Sequence, residues 1–282
     1  MASLHARGQL TVDFQQIFER ALNTDRGRFS GRLVLDVPAG EGRTTQWLLH
    51  SGARVIPMDL FPAFYKLKEP TCQVCDLNER IGLSKESVDF VISQEGIEHL
   101  PNQLFAMMEF SRVLKRGGRL LLTTPNQSNM TAKLSYLFSE SERFGRIMPP
   151  NTVDGLWFNS RESGKIYFGH LFLSGVCHLN VLAEVAGFRL ERIHFTRLQP
   201  SCLLPFLFLY PWMALIQLLN LRRNLRKNPE ARREYWKVFW LSINPKILLD
   251  GTLMLEFTKE QDSEEAKENL YRNWHQVQKN RP

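Results

Sequence analysis

The sequence predicts an α/β domain: a doubly wound, mostly parallel sheet, with a lid insertion and a hydrophobic insertion placed before its last strand. Three observations carry this. Short apolar runs that close on an acid alternate with amphipathic stretches, a glycine-rich loop follows the first such run, and a greasy-then-basic stretch at 199–247 separates two runs that read as a final hairpin. The 282 residues suffice for one such domain with insertions. With 43% hydrophobic and 23% charged residues, the composition excludes wholesale disorder and a polytopic membrane protein.

Taken in order, Phe14, Ile17, Phe18, Ala21 and Leu22 recur at helical spacing and predict an N-terminal helix packed on the sheet. Residues 32–37 form a buried strand that runs into Pro38-Ala39-Gly40-Glu41-Gly42, a tight loop. A helix over 44–50 stops at Gly52, and a second strand, 53–59, ends in Asp59. Further strands are expected at 72–75, 88–92 and 119–124. Between the last two, Leu104, Met107, Met108 and Leu114 give a helical stripe that Gly117-Gly118 should stop. Residues 126–169 read as a lid insertion, rich in Gly, Ser and Pro. A helix over 174–186 and strands over 188–198 and 251–257 complete the domain, 1–259, and 260–282 is a polar tail.

In such a sheet the ligand sits beyond the carboxyl ends of the strands, where the winding reverses. Gly40 and Gly42 let a nucleoside approach backbone and tolerate positive φ. Asp36 can order that loop and oppose the amino group of a methionine-like tail, and Asp59 suits two ribose hydroxyls. A nicotinamide-dinucleotide fingerprint also ends its second strand in an acid, but wants a third glycine where this chain has Arg43-Thr44-Thr45.

Leu35-Asp36-Val37-Pro38-Ala39-Gly40-Glu41-Gly42, Asp59, Asp76-Leu77, Val88-Asp89-Phe90-Val91-Ile92-Ser93-Gln94-Glu95-Gly96-Ile97-Glu98-His99-Leu100 and Arg112-Val113-Leu114-Lys115-Arg116-Gly117-Gly118-Arg119-Leu120 together resemble the ordered motifs of class I methyltransferases that use S-adenosylmethionine. The branch containing the ubiquinone-biosynthesis O-methyltransferases is most similar, over about residues 30–126. The resemblance implies a seven-stranded Rossmann-like sheet. It also implies that Asp36, Ala39, Gly40 and Gly42 line the methionine end of the cofactor, that Asp59 holds the ribose, Asp76 and Leu77 the adenine edge, and Ser93 and Gln94 the region near the sulfonium. Pro38 stands where many members have glycine, which suits a loop needing neither flexibility nor that N–H.

Because a sulfonium already activates the methyl, the protein has to align an acceptor and, for a hydroxyl, remove a proton. His99 is the candidate general base, with Glu98 and His170 as further catalytic candidates. Glu95, Glu98 and His99 also resemble the divalent-metal motif of some relatives, with Mg²⁺ or Mn²⁺ as the ion; the alternative is a glutamate that caps the next helix. Cys72-x-x-Cys75 has no second pair for zinc.

The stretch 198–221 has no charged residue, long enough for a bilayer crossing, and a basic run follows: Arg222, Arg223, Arg226, Lys227, Arg232, Arg233 and Lys237 against Glu230 and Glu234. If both flanking strands belong to one sheet, a single crossing is excluded. A re-entrant or interfacial contact of 199–247 with anionic membrane is expected, the alternatives being a cap over the site or a dimer interface. Nucleic acid explains the basic run less well, since the aromatics are not interleaved with the charges. Residues 1–28 lack a signal-peptide core, so the expected location is cytoplasmic, peripheral on the membrane's inner face. The function expected is O-methylation of an apolar or lipid-linked acceptor, such as a quinone precursor or a glycolipid sugar. A methyltransferase for a soluble small molecule or RNA, and a non-catalytic cofactor-binding protein, are the alternatives.

Overall fold

The computed structural model describes residues 18–19, 22–141, 148–158 and 166–279; Phe14, Ile17 and Ala21 of the expected N-terminal stripe lie outside them. Its elements run β1 (Leu33–Asp36), α1 (Arg43–His50), β2 (Arg54–Asp59), β3 (Gln73–Val74), β4 (Val88–Gln94), α2 (Gln103–Val113), β5 (Leu114–Pro125), α3 (Met130–Ser139), β6 (Leu156–Phe158), β7 (Ile166–Phe168), α4 (Val176–Val185), β8 (Phe188–His194), α5 (Leu203–Lys227), α6 (Arg232–Ile243), α7 (Pro245–Leu248), β9 (Thr252–Lys259) and α8 (Ser263–Lys279). Seven strands form one sheet in the order β3-β2-β1-β4-β5-β9-β8. Only β9 runs against its neighbours β5 and β8. The doubly wound, mostly parallel sheet expected from the sequence is the fold observed, and its winding reverses between β1 and β4.

Both faces of the sheet are covered, which explains the near-continuous apolar runs. Side chains alternate across a strand, so neighbours part company. Leu35, Val91, Leu120 and Leu122 enter one core, against Phe110 and Leu179 of the helices on that side. Val34, Phe90, Ile92 and Leu121 enter the other, with Phe18, Phe29 and Trp47. Phe18 and Phe29 meet Trp47 edge to face at 5.8 and 5.6 Å, an arrangement aromatic rings favour.

Helix α2 starts under an Asn102 cap and ends at Val113, because Leu114 already pairs with Val88 in the sheet. The expected Gly117-Gly118 stop is therefore corrected: Gly117 does take φ +74°, but inside β5, in the irregular stretch between the pairings of Leu114 and Arg119 with β4. The strand expected over 188–198 also ends sooner, at His194. Beyond it Asp250 accepts from Thr196 N–H and Oγ1 and from Arg197 N–H, and Gln199 N–H reaches Leu249 O. These bonds pin both roots of the insertion side by side at the carboxyl edge of the parallel strands.

From those roots rises a helical hairpin of α5 and α6. The inner face of α5 packs Phe206, Tyr210 and Met213 on Met130, Cys202 and Leu248. Its outer face stays bare: Leu204, Phe208, Trp212 and Leu219 are each more than half exposed. The segment Pro200–Lys227 is long and apolar enough by composition to cross a membrane, yet only 6% of its most apolar window is buried in the protein. Beyond residue 259, α8 folds back on the domain and buries Ala266 completely.

Candidate active site

The turn after β1 is built around two carboxylates. Asp36 is 1% exposed and accepts a 2.6 Å hydrogen bond from the Thr45 hydroxyl. Burial pushes its carboxyl up to about 7, only partly offset by Thr45, with nearby Asp59 pushing the same way. Asp59 staples the glycine loop to β2: one oxygen accepts Gly40 N–H at 2.8 Å and the other Phe61 N–H at 2.7 Å. Gly42 adopts φ +89°, and a Cβ there would stand 2.8 Å from the Tyr65 ring, so only glycine fits.

Beside this turn opens a cleft of about 730 Å³, its mouth included, between the loops after β1, β2 and β4 and strand β7. Of the expected site residues Asp59, Asp76, Leu77, Glu95 and His99 line it, and Phe61, Tyr167 and Phe168 line it with them. Asp36, Ala39, Gly40, Gly42, Ser93, Gln94, Glu98 and His170 do not line it. Gln94 instead donates to Thr44 Oγ1, and Ser93 is fully buried beneath the turn. The Tyr167 ring meets Phe61 edge to face at 5.2 Å, so β7 packs against the segment after β2 at the cleft.

The segment after β4 carries the reactive groups. Glu95 sits at φ +48° and accepts from Thr123 Oγ1 at 3.1 Å. Glu98 is fully buried: one oxygen accepts from Thr124 Oγ1 at 3.0 Å, and the other has no hydrogen-bond partner among the described residues. Burial raises its pKa, opposed by its own backbone N–H, by His99 and His170, and by Thr124. His99 Nδ1 lies 2.8 Å from Phe168 O. A carbonyl can only accept, so the proton belongs on Nδ1 and the basic nitrogen is Nε2.

His170, distant in sequence, comes to within 5.2 Å of the His99 ring, centre to centre. Phe172 N–H bonds Glu98 O, and the Gln103 side chain bridges Phe172 O and Ile97 O, which locks the two segments together. One ligand atom from each of Glu98, His99 and His170 falls within 4.8 Å of the others. Glu95 is not in this set, so the trio expected from the sequence is corrected by one member: Thr123 and the positive φ turn Glu95 toward the cleft instead. Sequence reasoning missed Gln103, Phe61, Tyr167 and the two threonines of β5, whose roles rest on contacts made only in the fold.

A mostly parallel sheet whose winding reverses beside a glycine-acid turn, with a second acid at the end of β2, resembles the arrangement of class I S-adenosylmethionine-dependent methyltransferases. The chain resembles that class, as its motifs indicate, and residues 35–122 match the model of a methyltransferase domain. Among curated proteins it is 31% identical over 166 residues to the mitochondrial ubiquinone biosynthesis O-methyltransferase of Rattus norvegicus, covering 54% of this chain and 48% of that protein. It is 30% identical over 205 residues to the protein of the same name from Homo sapiens, covering 63% of this chain and 55% of that one. The chain thus spans about half the length of the curated relatives it matches. Among solved structures, a SAM-dependent methyltransferase from Archaeoglobus fulgidus superposes with a TM-score of 0.50 at 16% identity, over 87% of this chain and 94% of the other, a likeness of fold alone.

Proposed function

We propose that the chain is an S-adenosylmethionine-dependent methyltransferase that methylates a hydroxyl on an apolar or lipid-linked acceptor, such as a quinone precursor or a glycolipid sugar, at a membrane face. The observation that carries the reading is the paired use of Asp59 and the Gly40–Gly42 turn beside a cleft that also holds His99. Asp59 keeps lone pairs for two ribose hydroxyls, and Asp76 with Leu77 frames the adenine. Buried Asp36 supplies a countercharge for the amino group of the methionine tail. Bound there, the cofactor supplies a methyl already activated by its sulfonium.

The chain's own work is alignment and proton removal. With Nδ1–H anchored on Phe168 O, His99 presents Nε2 to the acceptor and would take the hydroxyl's proton as the methyl leaves the sulfonium sulfur for that oxygen. The aromatic wall of Phe61, Tyr167 and Phe168 keeps water out and suits an apolar acceptor. The bare apolar face of α5, rooted at the same sheet edge as the cleft, supports a membrane source for that acceptor. The 30% identity to a ubiquinone biosynthesis O-methyltransferase supports a hydroxyl as the receiving group.

A second reading rests on the partnerless oxygen of buried Glu98 beside His99 and His170. These three would hold a divalent ion that lowers an acceptor hydroxyl's pKa in place of a histidine base. A donor set with two imidazoles suits Zn²⁺ or Mn²⁺ better than Mg²⁺. The test is transfer of labelled methyl into a lipid extract, with and without chelator. Label in an organic-phase product supports the reading, label only in water-soluble products removes the membrane acceptor, and loss of activity with chelator selects the metal.

A further inference from the structure

We propose that the α5–α6 hairpin lies flat on an anionic bilayer, its outer stripe sunk to the headgroup boundary and its basic tip among the headgroups, and that it neither crosses nor dips tip-first into the bilayer. This deepens the membrane reading above and rests on it.

The stripe is built by helical spacing. Leu204, Phe208, Trp212, Leu215 and Leu219 follow one another at intervals of three or four residues, and all are exposed. Between them Leu207 and Ile216 widen the stripe. The opposite side of α5 is occupied by α6 and by the root cluster around Met130 and Leu248, so the bare face has one direction only. A soluble chain gains nothing by exposing so many large apolar side chains in one row.

The charges decide the orientation. Arg222, Arg223, Arg226 and Lys227 end α5, Arg232 and Arg233 begin α6, and all six are exposed. They sit at the far end of the hairpin, those of α5 about 28–36 Å along the helix from its root at 1.5 Å per residue. Tip-first insertion would drive this whole cluster into hydrocarbon, where each cation is strongly disfavoured. A crossing fails as well. The chain must return to β9, and the 12 residues of α6 fall short of the ~20 that a second span requires. Lying flat satisfies both halves at once: apolar stripe into the boundary, cations onto anionic headgroups. The bilayer is chosen over a second copy of the chain because such a self-contact would stack this positive tip on itself or leave it unmatched.

The test uses the full chain with vesicles of phosphatidylcholine alone or mixed with phosphatidylglycerol, floated through sucrose, and with lipids brominated at shallow or deep acyl positions. Flotation should require phosphatidylglycerol and weaken with salt. The fluorescence difference between wild type and Trp212→Phe should be quenched more by shallow than by deep bromines. Replacing Arg222, Arg223 and Arg226 by Gln should weaken binding on the order of a hundredfold, while affinity for S-adenosylhomocysteine stays unchanged. Stronger quenching by deep bromines would overturn the flat orientation, as would binding indifferent to the three Gln changes. So would absence of flotation together with self-association in sedimentation. If S-adenosylhomocysteine binds and vesicles do not, this inference falls and the enzyme stands; if vesicles bind and S-adenosylhomocysteine does not, the enzyme falls and the membrane surface stands.

Discussion

The turn after β1 and the α5–α6 hairpin break opposite rules. The turn buries Asp36 on the Thr45 hydroxyl, with no cation beside it among the described residues, and the hairpin leaves a row of leucines, Phe208 and Trp212 exposed. Elsewhere the molecule obeys both rules: Glu256 is just as buried as Asp36, but His194, Arg28 and Arg119 surround it. We read the buried acid without a described cation and the exposed stripe without a described cover as two places suited to something outside the chain. One asks for a small cationic ligand, the other for an apolar surface.

The largest expected effect separates chemistry from binding within the site. His99→Ala should slow methyl transfer by about 10²–10⁴-fold and leave calorimetric affinity for S-adenosylhomocysteine within twofold of wild type. An active variant would send the proton to another base or to solvent, with an ion held by Glu98 and His170 lowering the hydroxyl's pKa as the first alternative.

Next in size is the control for buried acids. Glu256→Gln leaves Arg28, Arg119 and His194 facing a neutral group, so unfolding in denaturant should cost roughly 3 kcal/mol less, with ligand affinity unchanged. Burial works to raise Glu256, but His194, Arg119 and Arg28 outweigh it and hold it at about 2. Its folded pKa is depressed below 4.5, so its stabilising contribution is present above that value and is lost as pH falls toward 2. Asp59→Ala should behave conversely: about a hundredfold loss of cofactor affinity, from two lost ribose bonds and a loosened Gly40 turn, for a smaller loss of stability.

The smallest effect is a pH dependence. Asp36 is raised to about 7, so below that pH it is neutral and offers no countercharge to the cofactor's ammonium group. Affinity should rise as pH climbs through 7, by about tenfold for a one-unit shift, and Asp36→Asn should flatten the curve. A flat wild-type profile would remove Asp36 from the methionine end.

The sheet was legible because burial on both faces writes continuous apolar runs such as residues 33–37 and 88–92, and because acids such as Asp36 and Asp59 stand at or near the ends of those runs. Partners that meet only through folding were not. The resemblance named His170 beside Glu98 and His99 as a candidate, but the contact among the three is made through the Gln103 side chain and the Phe172 backbone, which the sequence does not show. Glu95 looked like a ligand by spacing, but its positive φ and Thr123 turn it aside. The basic run after residue 221 was visible as composition; its place at the tip of a hairpin, which fixes the orientation, needed the fold.

The most direct measurement is titration calorimetry of the purified chain with S-adenosylmethionine and with S-adenosylhomocysteine. The account predicts saturable one-to-one binding of both, weakened about a hundredfold by Asp59→Ala. Absence of binding by the folded wild-type chain would contradict it.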